Sequence, residues 1–306
     1  MEIQSYLSMV FAVIILGFLV LDLGYFNRRA HRISATSAFW QSVFWIALSL
    51  GFASLIFLFM DKVTAIEFLS AYVTEKMLSV DNLFVILLIF NYFKLEEKYF
   101  HRVLFWGILG AIVFRGIFIF LGAYAVEKFH FILYIFGALL IYTGLELLRG
   151  KREHHANFHQ GRVFRLAKRY LPFTENPHGG KFFVRENGKI HATLLFMIIL
   201  LVESTDIIFA VDSIPAAFAI SQSVFILFTS NIFAVMGLRA LFFLIENVVY
   251  KFHHLQKALS FVLVYVGGKM LIDIFGIHIS SFLSFGIIMS AFGIAIISSV
   301  LFPKKI

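Results

Sequence analysis

Two stretches decide how this chain is read: Glu75-Lys-Met-Leu-Ser-Val-Asp81-Asn82 and Glu203-Ser-Thr-Asp206-Ile-Ile-Phe-Ala-Val-Asp212-Ser213. Both lie in the middle of hydrophobic runs long enough to cross a bilayer. A charged group in hydrocarbon costs at least about 2.5 to 3.5 kcal/mol on insertion scales. Five carboxylates at matched depths, Glu75, Asp81, Glu203, Asp206 and Asp212, therefore argue for a shared task. The task expected is binding of a divalent cation.

Working outward, the chain is 60% hydrophobic and 14% charged, with 40 Phe among 306 residues, more apolar surface than a soluble domain of this size can bury. The expected class is an all-α polytopic membrane protein in contact with the lipid bilayer. Its net charge of +8 does not indicate nucleic acid, because Lys and Arg cluster in the gaps between apolar runs. With no cysteine, thiolate ligands, disulfides and thiol catalysis are excluded together. The first apolar run, Leu7 to Phe26, lacks a preceding basic region and a small-residue cleavage site, so it reads as a retained helix.

At about 20 apolar residues per crossing, the chain divides into about nine spans, near 7–26, 39–60, 66–91, 103–124, 130–148, 192–218, 223–246, 257–274 and 282–302. Basic residues crowd the loops after the first, third, fifth and seventh spans: Arg28, Arg29 and Arg32; Lys94, Lys98 and Arg102; ten Lys/Arg from Arg149 to Lys189; Lys251 and Lys257. Lys304 and Lys305 add to the tail, whereas only Lys62 and Lys128 fall on the other side. This asymmetry sets the N-terminus outside and the C-terminus in the cytoplasm of a bacterial inner membrane. In the long loop, Arg162 to Leu171 has the pattern of an amphipathic helix on an anionic leaflet, ended by Pro172. Phe182 to Ile190 reads as a two-strand hairpin around Asn187-Gly188. His154, His155, His159 and His178 belong to a solvated polar loop, with a metal sensor the alternative.

The two halves match in order at three places: Ser79-Val-Asp81-Asn-Leu-Phe84 with Ser204-Thr-Asp206-Ile-Ile-Phe209, Arg115-Gly-Ile-Phe118 with Arg239-Ala-Leu-Phe242, and Tyr142-Thr-Gly144 with Tyr265-Val-Gly267. Each unit holds three spans, so the second copy runs through the membrane in the opposite sense. The organisation expected is two N-terminal helices (1–65), a three-helix repeat (66–148), a basic cytoplasmic loop (149–190), an inverted second repeat (191–274) and a last helix (275–306).

On an unbroken helix Glu203 and Asp206 share a face, and Asp212 points nearly opposite. Pro215 supplies a way out, since it cannot donate to the Val211 carbonyl and is expected to kink or open the helix beside Asp212. Glu75, Ser79 and Asn82 form one stripe of the third span, with Asp81 on its edge. The midplane inventory of Glu75, Asp81, Glu203, Asp206 and Asp212, with Ser79, Asn82, Ser204, Ser213 and Asn231, is all oxygen. It suits hard ions such as Mn²⁺, Ca²⁺ and Mg²⁺. The bland alternative is that these acids neutralise Lys76, Arg115, Arg239 and Lys269. Arg115 and Arg239, equivalent by the repeat, are expected as counter-ions or gating groups, and Asp22 as an interfacial charge.

From about Glu75 to Leu271, through EKMLSVDNLFV, FFVRENG, ESTDIIFAVDSIPA, TSNIFAVMGLRALFFL and YVGGKMLI, the chain resembles the TerC family of bacterial membrane proteins, in particular its Alx-like branch. The resemblance implies a manganese-handling protein exporting Mn²⁺ from the cytoplasm, in a group first named for tellurite resistance. It carries over Glu75, Asp81, Glu203, Asp206 and Asp212 as the acidic motif positions, with Asn82 and Ser213 beside them. The chain departs from the family at Thr193-Leu194-Leu195, where Thr-Pro-Leu is common, and at Glu146, where Lys is frequent, so Glu146 receives no family role.

The function expected is a divalent-cation exporter, Mn²⁺ first and Ca²⁺ second, with no prosthetic group and no enzymatic activity. No GxxxxGK[ST] loop is present to couple ATP. Two other readings stand behind it. One is a non-transporting partner in secretion or insertion, with the basic loop docking a protein. The other is an intramembrane metal-dependent hydrolase, which lacks a helical H-E-x-x-H pair.

Overall fold

The computed structural model describes residues 2–21, 34–129, 131–149, 172–174, 180–186, 188–248, 254–275, 277 and 279–301. It is mostly helical. The helices are α1 (Glu2–Leu21), α2 (Ala35–Phe59), α3 (Lys62–Tyr92), α4 (Phe100–Lys128), α5 (Phe131–Leu148), α6 (Leu194–Phe218), α7 (Val224–Met236), α8 (Leu238–Val248), α9 (Leu255–Ile272) and α10 (Ser281–Leu301). Among the described residues, six helical segments are long and apolar enough to cross a membrane. They are α2, α4, α5, α6, α10 and the α7–α8 pair taken as one span. α3 is longer than any of them, but Glu67, Glu75, Lys76 and Asp81 interrupt its apolar character. Each apolar run read from the sequence falls on a helix. The amphipathic segment 162–171, the loop histidines and Asp22 lie outside the described residues.

Local signals explain the element ends. The Ser34 side chain accepts from the Ser37 amide at 3.2 Å to open α2, and Asp61 accepts from the Thr64 amide at 2.8 Å to open α3. A three-stranded sheet of β1 (Phe173–Thr174), β2 (Phe183–Glu186) and β3 (Lys189–Thr193) precedes α6, in the order β1-β3-β2. β2 and β3 pair antiparallel, with Glu186 opposite Lys189. That register leaves a two-residue turn, as the Asn-Gly pair demands, and Gly188 takes a left-handed φ of 79°. The short parallel strand β1 was not expected; two residues carry no alternation to read. α6 starts at Leu194 without a proline, where β3 ends.

One expectation is corrected. α6 runs unbroken through Pro215, which sits in its last turn, so only the Val211 carbonyl loses a donor. The break comes instead in the next span, between α7 and α8 at Gly237. A side chain at 237 would collide with the Lys76 ammonium, which lies against this point.

The direction of packing follows from contacts. Glu67 accepts from Ser221, beyond the end of α6, and Asn82 donates to Asp206 within it, so α3 and α6 run antiparallel. α5 and α9 are also antiparallel. Ser260 donates to the Gly144 carbonyl, and Gly137 meets Gly267 so closely that a Cβ at 267 would lie 2.6 Å from the Gly137 carbonyl oxygen. Small residues let these backbones touch where lipid supplies no hydrophobic drive. Exposed Leu58, Val13, Ile294 and Tyr142 form part of the apolar outer surface such a bundle needs in a bilayer.

Candidate functional site

Arg115 is the largest of the fully buried side chains, at 0% exposure, and it organises the centre of the bundle. Its guanidinium sits on α4 between α3, α6 and α7. Nη2 donates to Asp206 Oδ1 at 3.0 Å and Nε to Asp206 Oδ2 at 3.3 Å, a two-pronged grip on one carboxylate. Nη1 donates to Glu75 Oε1 and, at 3.3 Å, to Asn231 Oδ1. Asn82 Nδ2 donates to Asp206 Oδ1 at 3.2 Å, and the Ser79 hydroxyl reaches Glu75 Oε1 at 3.4 Å. One cation thus faces two carboxylates, an arrangement one charge short of neutral.

Beside this network lies a cavity of about 20 Å³, lined by Glu75, Leu78, Asn82, Arg115, Leu147, Phe209, Asp212, Ser213, Leu259 and Leu263. It has room for a body the size of one water molecule. Glu75 Oε2, Asn82 Oδ1 and Ser213 Oγ are buried without a protein partner, and Asp212 Oδ1 accepts from Thr143 at 3.0 Å. Oxygen-rich and lacking sulfur or imidazole, the lining suits a hard cation or its water. Among the described residues no three of His, Asp and Glu are gathered as a ready metal cage. A larger concavity, about 720 Å³ between α9 and α10, is lined by none of the carboxylates.

Most of the expected residues converge. Glu75, Asn82, Arg115, Asp212 and Ser213 share the cavity, and Asp206 adjoins it through Arg115 and Asn82. Asp212 reaches it without any break in α6, because it and Asp206 flank the face carrying Phe209 and Ser213. The expectation that an unbroken helix separates them is corrected on this ground. Glu203 does not line the cavity. Its carboxylate lies against Gly110 of α4, with Oε2 buried and unpartnered. Asp81 is in α3, but its side chain lies outside those described. Arg239 is half-buried in the first turn of α8, just after the Gly237 break.

Two residues stand out that sequence reasoning did not place in the site. Thr143 supports Asp212, and its only signal was membership of the Tyr142-Thr-Gly144 match. Lys76, which only the bland alternative paired with the acids, donates to the Ala234 carbonyl at 3.3 Å and lies 5.9 Å from the Tyr72 ring centre. It caps the carbonyl end of α7, where a cation is favoured.

Comparison with known proteins agrees with this architecture. The integral membrane protein TerC family matches residues 60–305. An uncharacterized membrane protein of Myxococcus xanthus is 43% identical over 291 residues, covering 95% of this chain and 91% of that one. Alx of Salmonella typhi, whose name describes a candidate membrane-bound redox modulator, is 40% identical over 300 residues, covering 95% of this chain and 92% of its own. Alx of Escherichia coli K12, named in the same way, is 39% identical over 300 residues with the same coverage. No solved structure matches. With the family spanning most of its length and such relatives aligned nearly end to end, the chain belongs to the TerC family of integral membrane proteins.

Proposed function

We propose that this protein exports a divalent cation, Mn²⁺ first and Ca²⁺ second, from the cytoplasm of a bacterium across its inner membrane. The ion binds at the carboxylate cluster between two inverted three-helix repeats, 66–148 and 191–274. One observation carries the reading: fully buried Arg115 holds Glu75 and Asp206 together beside a cavity with unpartnered oxygens. A buried guanidinium gripping carboxylates from both halves supplies the counter-ion that such acids need whenever no metal is bound. When the ion binds, Arg115 swings aside and Glu75, Asn82, Asp206, Asp212 and Ser213 offer oxygen ligands, with Asp81 the further ligand expected from the sequence. Glu203, one turn from Asp206, adds negative potential. Arg239 is the second gating cation.

The inverted repeat has support in packing. The shift that carries Tyr142 onto Tyr265, 123 residues, carries Gly144 onto Gly267 and Gly137 onto Ser260. It therefore exchanges the Gly144–Ser260 contact with the Gly137–Gly267 contact. The antiparallel course of α3 and α6 fits the same relation. With the N-terminus outside and the C-terminus cytoplasmic, α3 begins at the outer face.

The redox description of the Alx relatives bears on this chain in one respect. With no cysteine, it performs no thiol chemistry of its own, so a redox effect would run through the ion it moves. The test is Mn²⁺ and Ca²⁺ flux in proteoliposomes for the parent, Asp206→Asn and Asp81→Asn. Flux in the parent and its loss in both variants is expected; equal flux in all three ends the transporter reading.

A further inference from the structure

A second, outer cavity shares α3 and α9 with the central one and lies just past the end of α6. It measures about 10 Å³ and is lined by Ser70 of α3, Ala219 and Ile220 just past α6, Val266 and Lys269 of α9, and Ser281, Ser284 and Ile288 of α10. The central cavity is lined by Leu78 and Asn82 of α3, Asp212 and Ser213 of α6, and Leu259 and Leu263 of α9. On α9 the two sets follow at four- and three-residue spacings (259, 263, 266, 269), and on α3 Ser70 lies about two turns before Leu78, so both cavities lie along one seam. Eight residues of α3, about 12 Å, separate Ser70 from Leu78. Midway, one turn from each, stands Thr74.

The hydroxyls on this stretch differ from several elsewhere in the bundle, although buried Ser42 of α2 shares their lack of a partner. Helical Ser49, Ser54 and Thr229 satisfy themselves on the carbonyl one turn back, at 2.7 to 2.9 Å. Ser70 and Thr74, each 2% exposed, do not, and neither Oγ has a protein partner. Glu75 Oε2, on the adjoining residue, is likewise unpartnered. Three buried polar groups within six residues of α3 without a protein partner are costly unless something polar visits them. At the outer end, Glu67 collects hydroxyls: Ser221 donates to Oε2 at 2.7 Å and Ser281 to Oε1 at 3.4 Å. Each hydroxyl can instead turn a lone pair to a cation. Lys269, in the same cavity, lies close enough to feel the charges of Asp273 and Glu67.

We infer that the α3–α6–α9 seam is a hydrated route from the central cavity to the face where α3 begins, and that Glu67 is its outer carboxylate for a partly hydrated dication. The direction of travel and the dication at Glu67 rest on the export reading; the hydrated route does not. Ser70 and Thr74 replace waters of the ion as it passes, and Lys269 neutralises Glu67 when the station is vacant.

The native chain contains no cysteine, so single-cysteine variants report without background. Ser70→Cys and Thr74→Cys, both near-isosteric, are reconstituted in liposomes beside Ser230→Cys, a buried hydroxyl bonded within its own helix. Each is treated with a membrane-impermeant cationic thiol reagent, with and without Mn²⁺. The expected result is labelling of Ser70→Cys and Thr74→Cys at least about tenfold faster than Ser230→Cys. It comes from one face only, is slowed by Mn²⁺, and loses that protection when Glu67→Gln is added. Labelling as slow as Ser230→Cys overturns the route, and labelling indifferent to Mn²⁺ with Glu67 intact overturns the station. Parent flux measured in the same liposomes separates the two readings: flux without labelling sinks only the route, and protected labelling without flux sinks only transport.

Discussion

Arg115 on α4 forks onto the carboxylate of Asp206 on α6, at 3.0 and 3.3 Å, while its remaining amino group holds Glu75 on α3. Removing the guanidinium leaves two buried carboxylates facing each other. Arg115→Ala should therefore cost about 3 to 5 kcal/mol of stability, the usual result of orphaning buried charge. Mn²⁺ should raise the melting temperature of the variant more than that of the parent, because the competitor is gone. Thermal unfolding in detergent with and without Mn²⁺ checks this, and equal shifts in the two proteins would contradict the counter-ion role.

Gly110 leaves the space that the Glu203 carboxylate occupies. Gly110→Ala pushes a methyl group into it, and the side chain must move because its terminus is flexible and the α4 backbone is not. Mn²⁺ affinity should fall in Gly110→Ala by about as much as in Glu203→Gln, with the double variant no worse than either alone. Isothermal titration of the three proteins reads this; additive losses would show that the contact is packing and nothing more.

Adjacent glycines on α9 should behave oppositely. A Cβ at Gly267 would meet the Gly137 backbone oxygen at 2.6 Å, whereas one at Gly268 meets nothing within 4 Å. Gly267→Ala should cost about 1 to 3 kcal/mol as α5 and α9 are forced apart. Gly268→Ala should be neutral or gain up to about 1 kcal/mol of helix propensity. Melting temperatures of the pair decide, and similar values would mean that the α5–α9 contact is looser than described.

At the head of α3, hydrogen bonds from the Thr64 hydroxyl (2.5 Å) and amide (2.8 Å) hold the Asp61 carboxyl below its usual range. A depressed carboxyl contributes stability that is present above its unfolded value near 3.8 and is lost as pH falls through the lower folded value. Asp61→Ala should cost about 1 kcal/mol at neutral pH, the common cost of losing an N-cap. The gap between parent and variant should close in acid below that range, which melting curves at neutral and acidic pH measure. A gap that persists in acid would assign the effect to packing at Thr64.

Much of the fold was legible because lipid leaves few options: apolar runs of bilayer length become helices, and Asn187-Gly188 forces a tight hairpin. The acids were legible for the same reason, since hydrocarbon makes a buried carboxylate conspicuous. Pro215 misled because it lies in the last turn of α6, where its missing amide leaves one carbonyl, that of Val211, without a donor and the helix has only three residues left to run. Gly237 was missed because its role comes from Lys76, distant in sequence, pressing against it.

The sequence by itself determined a polytopic helical membrane protein with oxygen donors at the depth of the lipid core, because composition and spacing answer directly to the bilayer. Only the tertiary structure decided which acids meet. Glu75, Asp206 and Asp212 converge around Arg115, Glu203 faces Gly110, and Lys76 turns to the end of α7. That choice depends on how helices rotate and cross. Rotation is set by contacts between residues far apart in the chain, such as Gly137 with Gly267, which no local periodicity encodes.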